Sequence, residues 1–276
     1  MNLSTSEQLM YTTVRIECNY KDRTSGTGTG FFFDFLINKS TNTHVPVIIT
    51  NKHVVNNAVN GEFVLTLATN NQPSDTTHFK VTLDNFESWW RKHPDDNVDL
   101  CAMPIAPILE EARKQGKQLF YIPINKSLVP SSRQLEDFSA LEEILMIGYP
   151  NGVWDDVNNK PIFRRGITAT HPKFDYRGKK EIIIDAACFP GSSGSPVFVF
   201  SEGGYTDKRG NMCLGQSRVI FLGVLYAGPQ HIAHGEIRII NTFVNQAAIS
   251  FSHIPNNLGF VIKAEKVLEL ELLFKT

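Results

Sequence analysis

The sequence predicts an all-β protein, two antiparallel β-barrels followed by a C-terminal helix. Three observations predict it. Short apolar runs recur along the chain, each bounded by Gly, Asn, Asp, Ser or Pro, the pattern of strands joined by turns. The chain has 276 residues, 42% hydrophobic and 20% charged; that supports a packed core, suits a pair of fused barrels and excludes a disordered chain. Helical spacing is confined to a few stretches. The last, Ala264 to Phe274, has apolar residues placed to pack one face of a helix onto a barrel.

Residues 1–106 read as the first barrel. Thr13-Val-Arg-Ile-Glu-Cys18 alternates as a strand, and Arg23 to Gly30 is a Gly-rich approach to Phe31-Phe-Phe-Asp-Phe35. The repeated glycines are a weak phosphate-loop signal, since no Gly-Lys-Ser/Thr follows and an apolar strand does. Asn38 to His44 is a hairpin tip that returns through Val45–Thr50 to His53; Phe63–Ala68 and Phe79–Phe86 are further strands. Trp89 and Trp90 precede Asp99 in a loop, where they cap the barrel or wall a cleft, with capping the favoured role.

Residues 107–143 connect the halves. Ile108–Gln115 is helical and ends near Gly116, Tyr121–Ile124 is extended, and a second short helix is expected around Leu135–Leu141. Residues 144–276 form the second barrel with the terminal helix. Its strands are Ile144–Pro150, Phe163–Thr170, Glu181–Ala187, Pro196–Phe200, Val219–Ala227 and Leu258–Ile262. Ser201–Ser217 reads as an exposed hairpin, and Pro229–Asn257 as a long connection of the kind that tends to carry function.

The chain is organised around Cys188-Phe-Pro-Gly-Ser-Ser-Gly-Ser-Pro-Val-Phe198, a Gly/Ser turn between two apolar runs. Gly191 and Gly194 flank Ser193, which lets backbone N–H groups converge beside a serine oxygen. Acyl transfer needs that pairing of nucleophile and oxyanion hole. Gly and Ser are also the commonest turn formers, so the turn alone decides little. A serine needs a base, and His53 follows the apolar run Val45–Thr50, while Asp99 opens the apolar segment Leu100–Pro104. The order His, Asp, Ser differs from the Ser, Asp, His order of α/β-hydrolase esterases.

With these residues in place the chain resembles the trypsin-like serine peptidases, most closely the HtrA-type and other bacterial trypsin-like peptidase domains. Gly28-Thr-Gly-Phe31 is similar to the family's Gly-rich second strand, Thr50-Asn-Lys-His53 to its histidine motif and Val98-Asp-Leu100 to its aspartate motif. Ile147-Gly-Tyr-Pro150 resembles the start of its second barrel, and Gly191-Ser-Ser-Gly-Ser-Pro196 its serine motif. Leu222-Gly-Val224 and Leu258-Gly-Phe-Val261 resemble its last strands. The resemblance runs from Val14 to the C-terminal helix. It implies a chymotrypsin-like fold of two six-stranded antiparallel barrels and a serine endopeptidase with His53 as general base, Asp99 orienting it and Ser193 as nucleophile. The N–H groups of Gly191 and Ser193 would form the oxyanion hole. Ser192 stands where secreted trypsins carry the aspartate of zymogen activation, which argues against that route; Ser195 replaces a commoner glycine.

The resemblance also locates the primary specificity pocket at Ala187, Tyr226, Ala227, Gly228 and Gly259. Ala187 occupies the place of the aspartate that lets trypsins hold Lys or Arg, so an apolar side chain of small to medium size is expected before the scissile bond. Glu236 is the first acidic residue to consider were a basic preference found. Protein or peptide substrates are implied, with a regulatory protein partner by family habit. A chymotrypsin-like protein that only binds partners, catalytically silent, is the alternative function.

Several classes are excluded or disfavoured. The net charge is −1, so nothing points to nucleic acid, and the basic runs Lys160–Arg165 and Arg177–Lys180 read as solvated loops. The start lacks the basic and apolar regions of a signal peptide, and no apolar window is long enough to span a membrane. Cys18, Cys101, Cys188 and Cys213 have no metal-type spacing and read as reduced thiols in a cytoplasmic protein. No metal or cofactor is expected, and no PDZ-like domain follows the barrels.

Overall fold

The computed structural model describes residues 3–228, 230–237 and 248–275, with backbone alone for 230–237 and 248–255. The first half is one eight-stranded sheet. Its strands are β1 (Thr13–Tyr20), β2 (Ser25–Asn38), β3 (Thr43–Thr50), β4 (Ala58–Thr69), β5 (Gln72–Asp84), β6 (Arg91–Lys92) and β7 (Cys101–Pro104), with β8 (Ile124–Asn125) added parallel to β2. The order is β5-β4-β1-β2-β3-β7-β6. Six strands are of ordinary length, and the short β6 and β8 complete the eight. Phe79 and Val81 of β5 and Cys101 and Met103 of β7 enter the same core, with Ile16, Phe32, Ile48 and Phe63. The sheet therefore rolls around one apolar centre.

The run Phe31–Phe35 shows why this strand lacks polar alternation. Side chains alternate across a strand. Phe32 enters the core of the first half, while Phe31, Phe33 and Phe35 enter a second core shared with Leu145, Ile147, Phe198, Phe221 and Val224 of the other half. Both faces of β2 are buried, so both are apolar. Burying a phenylalanine side chain contributes about 1.5–3 kcal/mol, so this strand is a main tie between the halves.

The second half is a closed six-stranded barrel. Its strands are β9 (Glu143–Gly148), β10 (Ile162–Thr168), β11 (Glu181–Asp185), β12 (Pro196–Ser201), β15 (Arg218–Ala227) and β18 (Leu258–Lys263), in the order β10-β11-β18-β15-β12-β9. Closure removes both edges. Ile144, Met146, Ile182, Ile184, Val197, Val199, Leu222 and Val261 fill it. Two ribbons stand outside the barrel ladder. One is the expected hairpin, β13 (Gly204–Thr206) with β14 (Met212–Leu214). The other is β16 (Gln230–Ile237) paired with β17 (Ala248–Pro255), inside the segment read as a connection. A two-stranded ribbon outside the barrel need not show the apolar face by which barrel strands are recognised.

Five helices decorate the sheets among the described residues: α1 (Thr5–Leu9), α2 (Lys52–Val55), α3 (Ala106–Lys114), α4 (Ser132–Asp137) and α5 (Ala264–Glu269). α1 was not expected; a capping box between Ser4 and Glu7 starts it, and Leu9 anchors it in the shared core. A second capping box, Ser131 with Gln134, starts α4 earlier than the apolar pattern suggested, and Leu141 lies outside it, exposed. α5 continues as a tighter turn, Leu270–Phe274. Val267, Leu270 and Phe274 join the shared core, where the Phe274 ring stacks on Phe35 at 5.7 Å. The terminal helix thus packs across both halves. Trp90 is buried edge-on against Phe86 at 5.7 Å, and Trp89 donates its indole N–H to the Asp84 carbonyl, so this pair caps the first sheet.

Candidate active site

β3 ends at Thr50, and the chain turns at once into α2, whose Val54 and Val55 are buried. That leaves His53 as the exposed member of the turn. Antiparallel pairing of Thr50 with Cys101 brings the loop before β7 to the same end of the sheet. Asp99 meets His53 there. Asp99 Oδ2 lies 2.5 Å from His53 Nδ1, and Asp99 Oδ1 accepts the His53 backbone N–H at 3.1 Å. The Asn51 side chain donates to the Asp99 carbonyl at 2.7 Å. With a carboxylate on Nδ1, the neutral ring carries its hydrogen there and leaves Nε2 free to accept.

The serine turn is held from both sides. The Thr29 N–H donates to the Ser193 carbonyl at 2.9 Å, and the Thr29 hydroxyl donates to the Gly191 carbonyl at 3.0 Å. The Thr29 carbonyl accepts the Thr50 hydroxyl at 2.7 Å. These bonds tie the turn to the strand end that leads to His53. Gly194 has φ +89, and a Cβ there would overlap the Thr29 carbonyl and crowd the Thr50 hydroxyl, so only glycine fits. The Ser193 hydroxyl and the His53 ring make no hydrogen bond to each other.

Two backbone donors of the turn find no partner among the described residues. The N–H of Ser192 goes to the Phe189 carbonyl, that of Gly194 to the Leu225 carbonyl and that of Ser195 to the Ser192 carbonyl. Those of Gly191 and Ser193 have no acceptor among the described residues. The Pro190 carbonyl is held by the Asn151 N–H at 2.5 Å and the Ser192 carbonyl by the Ser195 N–H at 3.0 Å. In a trans peptide the N–H points opposite to its carbonyl, so these two anchors orient the Gly191 and Ser193 N–H groups. Of the three serines, Ser192 is 1% exposed and Ser195 0%, with the Ser195 hydroxyl bonded to Thr29; Ser193 is part-exposed.

The expected pocket residues form a contiguous patch. A Cβ on Gly228 would lie 3.4 Å from Cys188 Cβ, and one on Gly259 would lie 2.6 Å from Cys188 Sγ. Ala187 and Ala227 are part-exposed beside them. Cys188, buried and read from the sequence only as a reduced thiol, is thus a shared neighbour of both glycines, and burial pushes its thiol up to about 11. The Tyr226 ring packs against Phe260 at 6.2 Å; burial, then the Glu181 and Asp99 charges, raises its phenol. The side chain of Glu236 lies outside the described residues. Thr29, Asn51 and Asn151 were not anticipated either. Thr29 carries a faint signal, as the one side chain between Gly28 and Gly30, whereas the other two act through generic amide or backbone groups.

All four cysteines are free, no group of three His, Cys, Asp or Glu among the described residues has metal-site geometry, and no described helix is long and apolar enough to cross a membrane.

No curated protein matches the chain. Solved structures with a similar fold include a thermostable serine protease from an extremophilic microorganism, at 12% identity over 96% of this chain and 98% of that one, TM-score 0.48. Catalytically inactive tobacco etch virus protease complexed with substrate matches at 15% over 96% and 83%, TM-score 0.47. The HtrA-type protease AlgW with tripeptide matches at 15% over 96% and 60%, TM-score 0.45. The family model of the trypsin-like peptidase domain matches residues 28–204, from the Gly28 motif through the serine turn. The chain belongs to the trypsin-like peptidase domain family.

Proposed function

We propose that this chain is a serine endopeptidase that hydrolyses peptide bonds through an acyl-enzyme. His53 Nε2 takes the proton of the Ser193 hydroxyl as its oxygen attacks the scissile carbonyl. The N–H groups of Gly191 and Ser193 stabilise the oxyanion that develops. His53 then gives its proton to the leaving amine, which departs and leaves an ester on Ser193. Water, deprotonated by His53, attacks that ester and releases the acid. Asp99 holds the ring in the required tautomer and stabilises the imidazolium. The carrying observation is the 2.5 Å contact between His53 Nδ1 and Asp99 Oδ2. Free thiols suit a reducing compartment, and we place the protein in the cytoplasm.

The test is labelling by a fluorophosphonate, with the modified residue mapped by mass spectrometry. Stoichiometric label on Ser193 supports the reading. A folded protein that takes no label and cleaves no peptide library is instead a silent binding module.

A further inference from the structure

His93 is 2% exposed, and the chemistry above does not use it. It opens the loop that carries Asp99. Its backbone N–H donates to the Leu100 carbonyl at 2.9 Å and closes that loop at its base. Its ring Nδ1 accepts the Asp95 N–H at 3.1 Å. With Nδ1 accepting, the neutral ring carries its hydrogen on Nε2, which lies 3.2 Å from Glu269 Oε2 without making a hydrogen bond to it. Glu269 is the last residue of α5 and also pairs with Lys266.

The chain of contacts continues towards His53. The Asp95 carbonyl accepts the Val98 N–H at 3.1 Å and the Lys52 ammonium at 3.0 Å. Lys52, itself buried, precedes His53 in α2. The Asp95 carboxylate caps the same loop through the Asn97 N–H. One imidazole thereby braces the Asp99 loop, reaches through Asp95 to the turn that carries His53, and sits beside Glu269 of the C-terminal helix. The charged groups around it are Glu269 and Lys266 on α5, Lys52 on α2 and Asp95 in its own loop. Burial is the largest influence on the ring and lowers its pKa from the ordinary histidine value; Glu269 opposes, and Lys266 and Lys52 add to the lowering.

We propose that His93 is a positioning residue for the His53–Asp99 pair, fixing the Asp99 loop through the Asp95 N–H that its ring accepts. A leucine of similar size would fill the space and leave the Asp95 N–H without its acceptor. The loop would then be free to shift, and small displacements of a catalytic group are costly to rate.

The role ascribed to the pair rests on the proposed peptidase function, so the experiment includes a readout that needs no catalysis. His93→Leu, His93→Gln and His93→Asn are compared in the full chain. Asparagine keeps an acceptor near the place of Nδ1, and glutamine keeps a polar group near Nε2 alone. The ring titration of His53 is followed by NMR, with Asp99→Asn as reference, and kcat and KM are measured on a cleaved peptide. In His93→Leu and His93→Gln the His53 midpoint is expected to move towards that of Asp99→Asn, and kcat to fall by about tenfold to a hundredfold with KM little changed. His93→Asn is expected to stay near the parent in both. If His93→Leu does not fold, the contrast between the glutamine and asparagine variants decides. A folded His93→Leu or His93→Gln with the parental midpoint and kcat overturns the proposal, as does equal loss in all three variants. A parent that neither takes label nor cleaves defeats the peptidase reading, while the His53 titration still judges His93.

Discussion

The Thr29 hydroxyl donates to the Gly191 carbonyl across the seam between the two halves, at 3.0 Å. The same oxygen accepts the Tyr149 N–H at 3.1 Å and the Ser195 hydroxyl at 3.3 Å. A hydroxyl has one hydrogen and two lone pairs. All three are used, and Thr29 is 0% exposed. The serine turn therefore takes its position from a strand of the other half.

Thr29→Val keeps the shape and removes the three bonds. Each buried partner left unsatisfied costs about 1–3 kcal/mol, so the variant is expected to melt at a clearly lower temperature and to lose peptidase rate. Thr29→Ser restores the hydroxyl and is expected to recover most of both. Calorimetry and peptide cleavage assays on the two variants check this. Parental stability and rate in Thr29→Val would show that the seam is held by apolar packing alone.

Ser193→Ala is expected to abolish fluorophosphonate labelling and lower kcat by several orders of magnitude, leaving roughly 10³–10⁴-fold over water from binding and the oxyanion hole. Its melting temperature is expected to match the parent, since the side chain is part-exposed and no bond of the turn runs through its hydroxyl. Ser195→Ala is expected to do the reverse, losing stability through its bond to Thr29 and keeping the label. Labelling that survives Ser193→Ala moves the nucleophile elsewhere.

The order of strands and the place of His53, Asp99 and Ser193 on turns at strand ends were legible because period-2 apolar runs and glycine punctuation are local signals. The parts that hold these residues were not. Thr29 works through its own amide and carbonyl as well as its hydroxyl, and Asn151 through its N–H alone, and a backbone group leaves no mark in sequence. His93 sits beside Pro94 in a polar stretch and reads as a loop residue; only folding brings Glu269 to it, from the far end of the chain. The three-phenylalanine run hid its division of labour for a related reason. Which core each ring enters depends on there being a second core behind the strand.

His93 is expected to make stability fall on mild acidification. Its folded pKa is lowered, with burial the main cause, whereas an unfolded histidine titrates near about 6.5. Above that value both states are neutral and the contribution is fully present. As pH falls through it the unfolded chain takes up the proton first, and stability is lost until the folded ring also titrates. The melting temperature of the parent is therefore expected to drop more steeply from about pH 7 to about pH 5 than that of His93→Asn. His171, also lowered, chiefly by burial, contributes equally to both proteins and cancels in the comparison. Parallel curves would mean that His93 titrates as it does in the unfolded chain.

The last prediction concerns which residue is preferred before the scissile bond. The expected pocket surfaces are Ala187 and the Tyr226–Gly228 strand end, with Gly259 buried behind them against Cys188. None carries a charge. The Cys188 thiol, pushed up to about 11 by burial, stays neutral at working pH, so it offers no anion either. A lysine or arginine entering there would meet no carboxylate on these surfaces themselves, Glu181 acting on the Tyr226 phenol and Asp99 being held by His53, so burying its charge is expected to cost several kcal/mol. An apolar side chain meets no such penalty and gains about 0.8 kcal/mol for each CH₂ it buries. Gly228, exposed, lacks a side chain where bulk would narrow the space, so Val, Leu, Ala or Phe are the expected residues. Gly228→Val is expected to shift the preference towards the smallest of these. Profiling with a peptide library before and after that substitution reads both effects. A profile dominated by Lys or Arg would overturn the assignment and call for an acidic residue entering from β16, where Glu236 is the first to replace with glutamine.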